Sequence, residues 1–308
     1  MRVNLPEWME TEIASIENDR VHGATYLTER SIRLVQKAAA GGASPDLLKE
    51  AALRIAASRP MMASVFNFAN ELLLFLESEE SCRRCLEFCR EYLLLSERFT
   101  KRAVVLAAET LPKEGTILTH SASTMVRDAL LVASEAGARM RVWCTESRPG
   151  KEGVAFARSL CESGIETTLI IDAAAPFLLS EADMVLVGAD GVGTFGLVHK
   201  IGTYAIALAA KRAEVAFVSV ASGKKLWPSG HVGVVEPPKD GSELGAEGCL
   251  EALNLYFDVT PPDPGVRIVT EEGVLDFHEV RRRCEEMPLH PLLSSRARGS
   301  CAQPLRQL

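Results

Sequence analysis

Val185-Leu186-Val187-Gly188-Ala189-Asp190, continuing through Gly191-Val192-Gly193-Thr194-Phe195-Gly196 to Lys200-Ile201-Gly202-Thr203-Tyr204, decides the fold. A short apolar run ends on one carboxylate, a glycine-rich turn follows, and a lysine opens the next helix. Acid, unhindered backbone and cation therefore meet at one strand tip, which is where open α/β sheets place their ligands.

Gly191, Gly193 and Gly196 spell G-x-G-x-x-G. A dinucleotide site needs that motif after the first strand of its βαβ unit, with an acid ending the next strand about 20 residues on. Neither condition holds. Several strands come earlier, and Glu214 precedes the apolar run 215–220 instead of ending it. The glycines read more simply as a turn needing positive φ, with close approach of backbone to a ligand or a neighbouring helix.

Outward from this stretch, short β-rich runs at 116–119, 141–145, 167–171, 184–187, 215–220 and 267–270 alternate with helical patterns near 123–136, 153–163, 176–180 and 202–212. That alternation predicts a parallel sheet covered on both faces. Upstream the apolar spacing is helical throughout: Ile13-Ile16-Val21, Ile32-Leu34-Val35, Leu47-Leu48-Ala51-Ile55, and a long run from Phe68 through Leu94 and Val104. Gly41-Gly42-Ala43 separates two helices, with Ser44 as cap and Pro45 in the first turn. The fold class is α/β, with a helical domain over 1–110, a sheet domain over 111–287, and a loose Ser-, Arg-, Pro- and Gln-rich tail over 288–308.

The 308 residues are 47% apolar and 24% charged, enough for one large core or two ordinary ones. A net charge of -7 without a basic stripe argues against direct nucleic-acid binding. The Arg281-Arg282-Arg283 cluster lies beside Glu279, Glu285 and Glu286 and reads as a solvated helix face. No apolar stretch reaches membrane-spanning length and the N-terminus lacks a signal-peptide plan, so a cytoplasmic address without membrane contact is expected. The eight cysteines are then thiols. Cys82, Cys85 and Cys89 follow one helix face in an apolar segment and have no second ligand pair nearby, so buried thiols are expected and no metal.

Parallel strands bring their carboxyl ends to one edge. There the chain offers Thr119-His120-Ser121-Ala122-Ser123, then Thr145-Glu146-Ser147-Arg148, then Asp172 and Asp190. Residues 121–124 also begin a helix, whose free N–H groups suit a phosphate or carboxylate, and Arg148 and Lys200 add charge. A small anionic metabolite is the ligand this chemistry predicts. Blander readings stand beside it: Ser123 as a helix cap, Arg148 paired with Glu146 or Glu152, Asp172 holding a turn. His120 reads equally as a hydrogen-bonded structural residue or a proton donor. Ser121 lacks the G-x-S-x-G elbow of a hydrolase nucleophile.

Val187-Gly-Ala-Asp-Gly-Val, His199-Lys-Ile-Gly-Thr-Tyr, Thr145-Glu-Ser-Arg-Pro and Tyr256-Phe-Asp-Val-Thr-Pro-Pro262 together resemble a known superfamily. It contains the α, β and δ regulatory subunits of translation initiation factor 2B and the methylthioribose-1-phosphate and ribose-1,5-bisphosphate isomerases. Gly23-Ala24 and Ser58-Arg59-Pro60 extend the likeness into the helical half. The resemblance implies an N-terminal helical domain, a Rossmann-like C-terminal domain, a homodimer formed largely through the latter, and no cofactor. It also implies a phosphate element at His22-Gly23-Ala24, ligand contacts from Arg59, Glu146, Arg148, His199 and Lys200, and a catalytic position at Asp190.

Three departures from the isomerase pattern matter. Ser121 stands where the isomerases carry a cysteine that works with the aspartate, and a hydroxyl has a far higher pKa than a thiol. His22 stands for an arginine, and His199 for an asparagine. The expectation is therefore a regulatory-subunit-like protein that binds a sugar phosphate or nucleotide and is weakly or not catalytic, with translation-factor subunits as partners where the host has them. The alternative is a divergent aldose-phosphate isomerase in which Asp190 shuttles the proton and His120 or His199 replaces the cysteine.

Overall fold

The computed structural model describes residues 3–78, 81–231 and 236–296. The N-terminal half is built of α1 (Glu7–Glu17), α2 (Ala24–Ala40), α3 (Pro45–Ser58), α4 (Ala63–Phe75) and α5 (Ser81–Thr110). Ser44 caps α3 as its sequence requires, its hydroxyl accepting from the Leu47 N–H at 3.3 Å. α4 is apolar on nearly every side, and its Phe68, Leu72 and Leu73 are wholly buried. It is the central helix of the layer. Cys85 and Cys89 pack into this core; the side chain of Cys82 lies outside the described residues. This core reaches Tyr92 along α5, while a second core begins at Ala103 on the same helix. The two cores therefore meet inside α5, ahead of its end at Thr110.

The α/β fold expected from the pattern is present. β1 (Glu114–Thr119), β2 (Arg139–Thr145), β3 (Glu166–Ile170), β4 (Met184–Val187), β7 (Ala216–Val220) and β9 (Val266–Thr270) are the six strands read from the sequence. They form one sheet, order β10-β9-β7-β4-β1-β2-β3, parallel throughout except for β10 (Gly273–Leu275) at one edge. The helices α6 (Thr124–Glu135), α7 (Glu152–Glu162), α8 (Ala175–Leu178) and α9 (Thr203–Ala213) make the crossovers or pack beside them. From β1 the chain winds outward to β2 and β3, then returns to β4 on the other side of β1. The order thus reverses between β1 and β4, the position at whose carboxyl ends open α/β sheets form a ligand crevice.

The glycine-rich stretch differs from its reading as a turn. β5 (Gly191–Gly193) and β6 (Gly196–Lys200) form a hairpin that pairs with β8 (Phe257–Thr260) in a small antiparallel sheet. Lys200 accordingly ends a strand, and α9 begins at Thr203. Gly196 has φ +136°, and a Cβ there would lie 2.2 Å from the Thr260 carbonyl oxygen. At Gly196 the close approach is therefore to another strand, whereas a Cβ on Gly191 would meet the Trp227 ring and Ala63 at the start of α4, the neighbouring helix. Every residue of β6 is buried, so no polar alternation marked it as a strand.

The C-terminal segment also departs from expectation. After α10 (Phe277–Glu286) comes α11 (Pro291–Arg296), in the region read as a loose tail. The His290 N–H donates to Asn70 Oδ1 at 2.8 Å, Asn70 Nδ2 donates to the Pro288 carbonyl at 2.9 Å, and Leu293 is buried in the helical core. Positions 297–308 lie outside the described residues.

Candidate functional site

Asp190 lies just beyond β4, at the point where the strand order reverses. Its backbone is held from both sides: the Ala63 N–H at the start of α4 donates to its carbonyl at 2.9 Å, and its own N–H donates to the Val198 carbonyl at 3.0 Å. The residue as a whole is half-buried, and its carboxyl is desolvated. It makes no hydrogen bond or close ion pair among the described residues, yet Lys225, Lys200 and Arg59 all act on it through space. Desolvation outweighs their attraction and pushes its pKa up to about 6. An acid so placed exchanges protons near neutrality and presents a hydrogen-bonding group to whatever enters the crevice.

Lys225 is the strongest feature that sequence reasoning missed. Gly223-Lys224-Lys225 looks like a basic surface turn, but Lys225 is buried and its Nζ donates to the Ala189 carbonyl at 2.6 Å. Burial lowers its pKa, and the neighbouring Asp190 works in the opposite direction. The turn is clamped by the helical layer, with Lys224 Nζ held by Glu71 at 2.7 and 2.8 Å and seated over the Tyr92 ring.

Ser121, Glu152 and Lys200 form the opposite corner. Ser121 follows β1 with φ +67°, and its N–H donates to Ser147 Oγ at 2.8 Å. Its hydroxyl donates to Glu152 Oε1 at 2.8 Å, and Lys200 Nζ reaches the same oxygen at 2.8 Å. Lys200 also lies over the Tyr256 ring, 4.6 Å from its centroid. Glu152, considered from sequence only as a partner for Arg148, thus belongs with Lys200.

The two histidines are locked. His120 Nε2 donates to the Ile201 carbonyl at 2.8 Å, and its Nδ1 accepts from Thr145 Oγ1 at 2.6 Å, so both ring nitrogens are occupied. Thr203 spends its hydroxyl proton on the Lys200 carbonyl at 2.6 Å, so His199 Nδ1, 3.1 Å away, donates to Thr203 Oγ1. These tautomers follow from the partners available. Burial lowers the pKa of His120 and holds that of His199 well below its ordinary value. Both rings are neutral at physiological pH.

The remaining candidates sit further out. Arg59 is buried after α3; its Nη1 donates to the Glu17 and Asp19 carbonyls at 3.1 and 2.9 Å, and its Nε has no partner among the described residues. Half of its guanidinium therefore holds the α1–α2 connection. Asp19 in turn accepts from the His22 N–H at 2.8 Å and pairs with the His22 ring, which stacks on Tyr26. Gly23 precedes α2, and Ala24 is its buried first residue. Nothing joins His22 to Asp190 directly. Glu146 is half-buried, with Lys151 Nζ 4.0 Å away. The guanidinium of Arg148 makes no hydrogen bond or ion pair among the described residues, while its N–H and that of Ser147 bind Asp172 at 2.7 Å. Asp172 holds the turn. Asp258, from the fourth quoted motif, accepts from Gly202 and Tyr204 at 2.8 and 3.1 Å and caps α9 directly after Lys200.

Two surface concavities of about 400 and 550 Å³ lie beside α9 and at the amino ends of β1, β2 and β3, and neither includes Asp190. The crevice is singled out by its chemistry, not by its volume.

A doubly wound sheet with a carboxyl and three cations at its switch point, completed by residues of an N-terminal helical layer, defines a Rossmann-like α/β protein. Among the described residues no helix is long and apolar enough to cross a membrane. The chain belongs to the initiation factor 2 subunit family, whose profile matches residues 25–277. It is 33% identical over 272 residues to ribose 1,5-bisphosphate isomerase of Archaeoglobus fulgidus, covering 84% of this chain and 87% of that one. The crystal structure of translation initiation factor eIF-2B from Pyrococcus horikoshii superposes with a TM-score of 0.78 at 29% identity, covering 88% of this chain and 98% of that one. The 5-methylthioribose 1-phosphate isomerase of Pyrococcus horikoshii, 24% identical with a TM-score of 0.71 over 90% of this chain and 87% of that one, shares the fold.

Proposed function

We propose that the crevice binds a phosphorylated sugar or nucleotide and that the chain is weakly or not catalytic toward it. The observation that carries this reading is the Asp190 carboxyl, unpaired within the crevice and facing three cations. A carboxyl suits sugar hydroxyls, and the cations suit phosphate. Membership of a family that includes a ribose 1,5-bisphosphate isomerase supports the same ligand class. Aldose-ketose isomerisation needs a second group that exchanges protons with carbon near neutrality. Ser121 offers a hydroxyl tied to Glu152, and both histidines are neutral and engaged.

The isomerase reading keeps one observation in its favour, the near-neutral titration of Asp190. A thermal-shift series with ribose 5-phosphate, adenosine 5′-monophosphate and ribose 1,5-bisphosphate, followed by a turnover assay, separates the two. Shifts without ketose formation support a binder; robust turnover that disappears in Asp190→Asn replaces it with an enzyme.

The chain is further proposed to form a homodimer through its sheet half. Ile171, Phe177 and Leu208 are exposed apolar residues on or beside α8 and α9, elements that pack together. The similarity to an eIF-2B protein supports translation-factor subunits as further partners in a host that has them.

A further inference from the structure

Resting on the pocket reading, we propose that Glu152 sets the ligand class: the crevice takes a sugar or nucleoside carrying one phosphate and rejects a second phosphate at the Ser121–Lys200 corner. That corner has the parts of an anion site. The Ser121 hydroxyl and the Lys200 ammonium converge there. The Glu152 carboxylate already occupies it, accepting from both Ser121 and Lys200 at 2.8 Å.

Glu152 is not free to swing away with the backbone. It is the first residue of α7, and a Cβ on the adjacent Gly153 would lie 1.9 Å from the Thr145 carbonyl oxygen. The start of α7 is thus pressed against the end of β2. The carboxylate neutralises Lys200, and Arg59 commits Nη1 to backbone carbonyls. Lys225, the remaining donors of Arg59 and the guanidinium of Arg148, offset by the Asp190 carboxylate, are then the charges left to a ligand. One phosphate, of charge about -1.5 to -2, matches that supply. A second would meet Glu152 charge against charge, or would have to displace it from two hydrogen-bonding partners. A neutral sugar hydroxyl meets no such opposition, since it can donate to the carboxylate.

The test is the ratio of affinities for ribose 5-phosphate and ribose 1,5-bisphosphate, measured by calorimetry on the full chain. Wild type is expected to prefer the monophosphate by about tenfold or more. Glu152→Gln, which keeps an acceptor for Ser121 and removes the charge, is expected to narrow or reverse the preference; Glu152→Asp is expected to preserve its direction. A wild type that prefers the bisphosphate overturns the inference, and does so even if the glutamine variant fails to fold. An unchanged ratio in a folded Glu152→Gln overturns it as well, while leaving the pocket intact. Binding of neither ligand removes the pocket and this inference together.

Discussion

The side-chain amide of Asn67 in α4 brackets Lys225, donating to the Lys224 carbonyl at 2.8 Å and the Leu226 carbonyl at 2.6 Å. A cation of the sheet half is thereby placed by a residue of the helical half. Asn67→Ala is expected to destabilise the protein by about 2 kcal/mol, through one buried and one part-buried carbonyl left without a donor. Ligand affinity should fall with it as Lys225 loses its position. Denaturant unfolding measures the first effect; a stable variant with unchanged affinity would separate Lys225 from the site.

Asp190 makes stability depend on pH in a definite direction. Its folded pKa of about 6 lies above the ordinary 3.8, so the native state holds the proton more tightly than the unfolded chain. The associated stability is full below about pH 4 and lost as pH rises through about 6. Asp190→Asn should therefore be more stable than wild type at pH 7 to 8, by about 3 kcal/mol, and match it near pH 4. Parallel melting curves across that range would contradict the buried charge. On the proposed function, ligand binding should weaken in the same variant even as stability rises.

His231 acts in the opposite direction. It is buried between Trp227 and Phe66, its Nε2 has no partner among the described residues, and burial lowers its pKa to about 4. A base with a depressed folded pKa favours the native state above its unfolded pKa, about 6.5, and that advantage is lost as pH falls through about 4. His231→Phe should consequently flatten the acid limb of the stability curve by on the order of 1 to 3 kcal/mol at pH 4. An acid limb that does not move would place the sensitivity elsewhere.

If α8 and α9 carry the homodimer contact, Phe177→Asp and Leu208→Asp should each shift sedimentation toward the monomer at micromolar concentration. The thermal shift produced by a ligand should survive, because neither residue lines the crevice. A wild-type monomer at those concentrations would remove the proposal.

The large sheet was legible because its parallel strands as far as β7 are β-rich runs alternating with helical patterns, and the position of Asp190 followed from the run 185–187 ending on a carboxylate. The hairpin was not legible: β5 is three residues long, β6 is buried throughout, and their partner β8 lies far along the chain. Lys225 and Glu152 carried no local signal for a similar reason. Lys225 looks like any lysine of a surface turn until Asn67, 158 positions earlier in sequence, closes over it, and Glu152 gains meaning only when Ser121 and Lys200 arrive from β1 and β6. The helix at Pro291–Arg296 was hidden by a polar composition that suits a tail. Its anchor is one buried leucine and the backbone bonds of Asn70.

α5 runs unbroken from the helical core to the sheet core, a rod of about 45 Å whose two ends are sealed into different halves. Neither half can melt without stripping apolar contacts from the other. Heating should then give one endotherm, with calorimetric and van 't Hoff enthalpies in agreement, where two halves joined by a tether would give two.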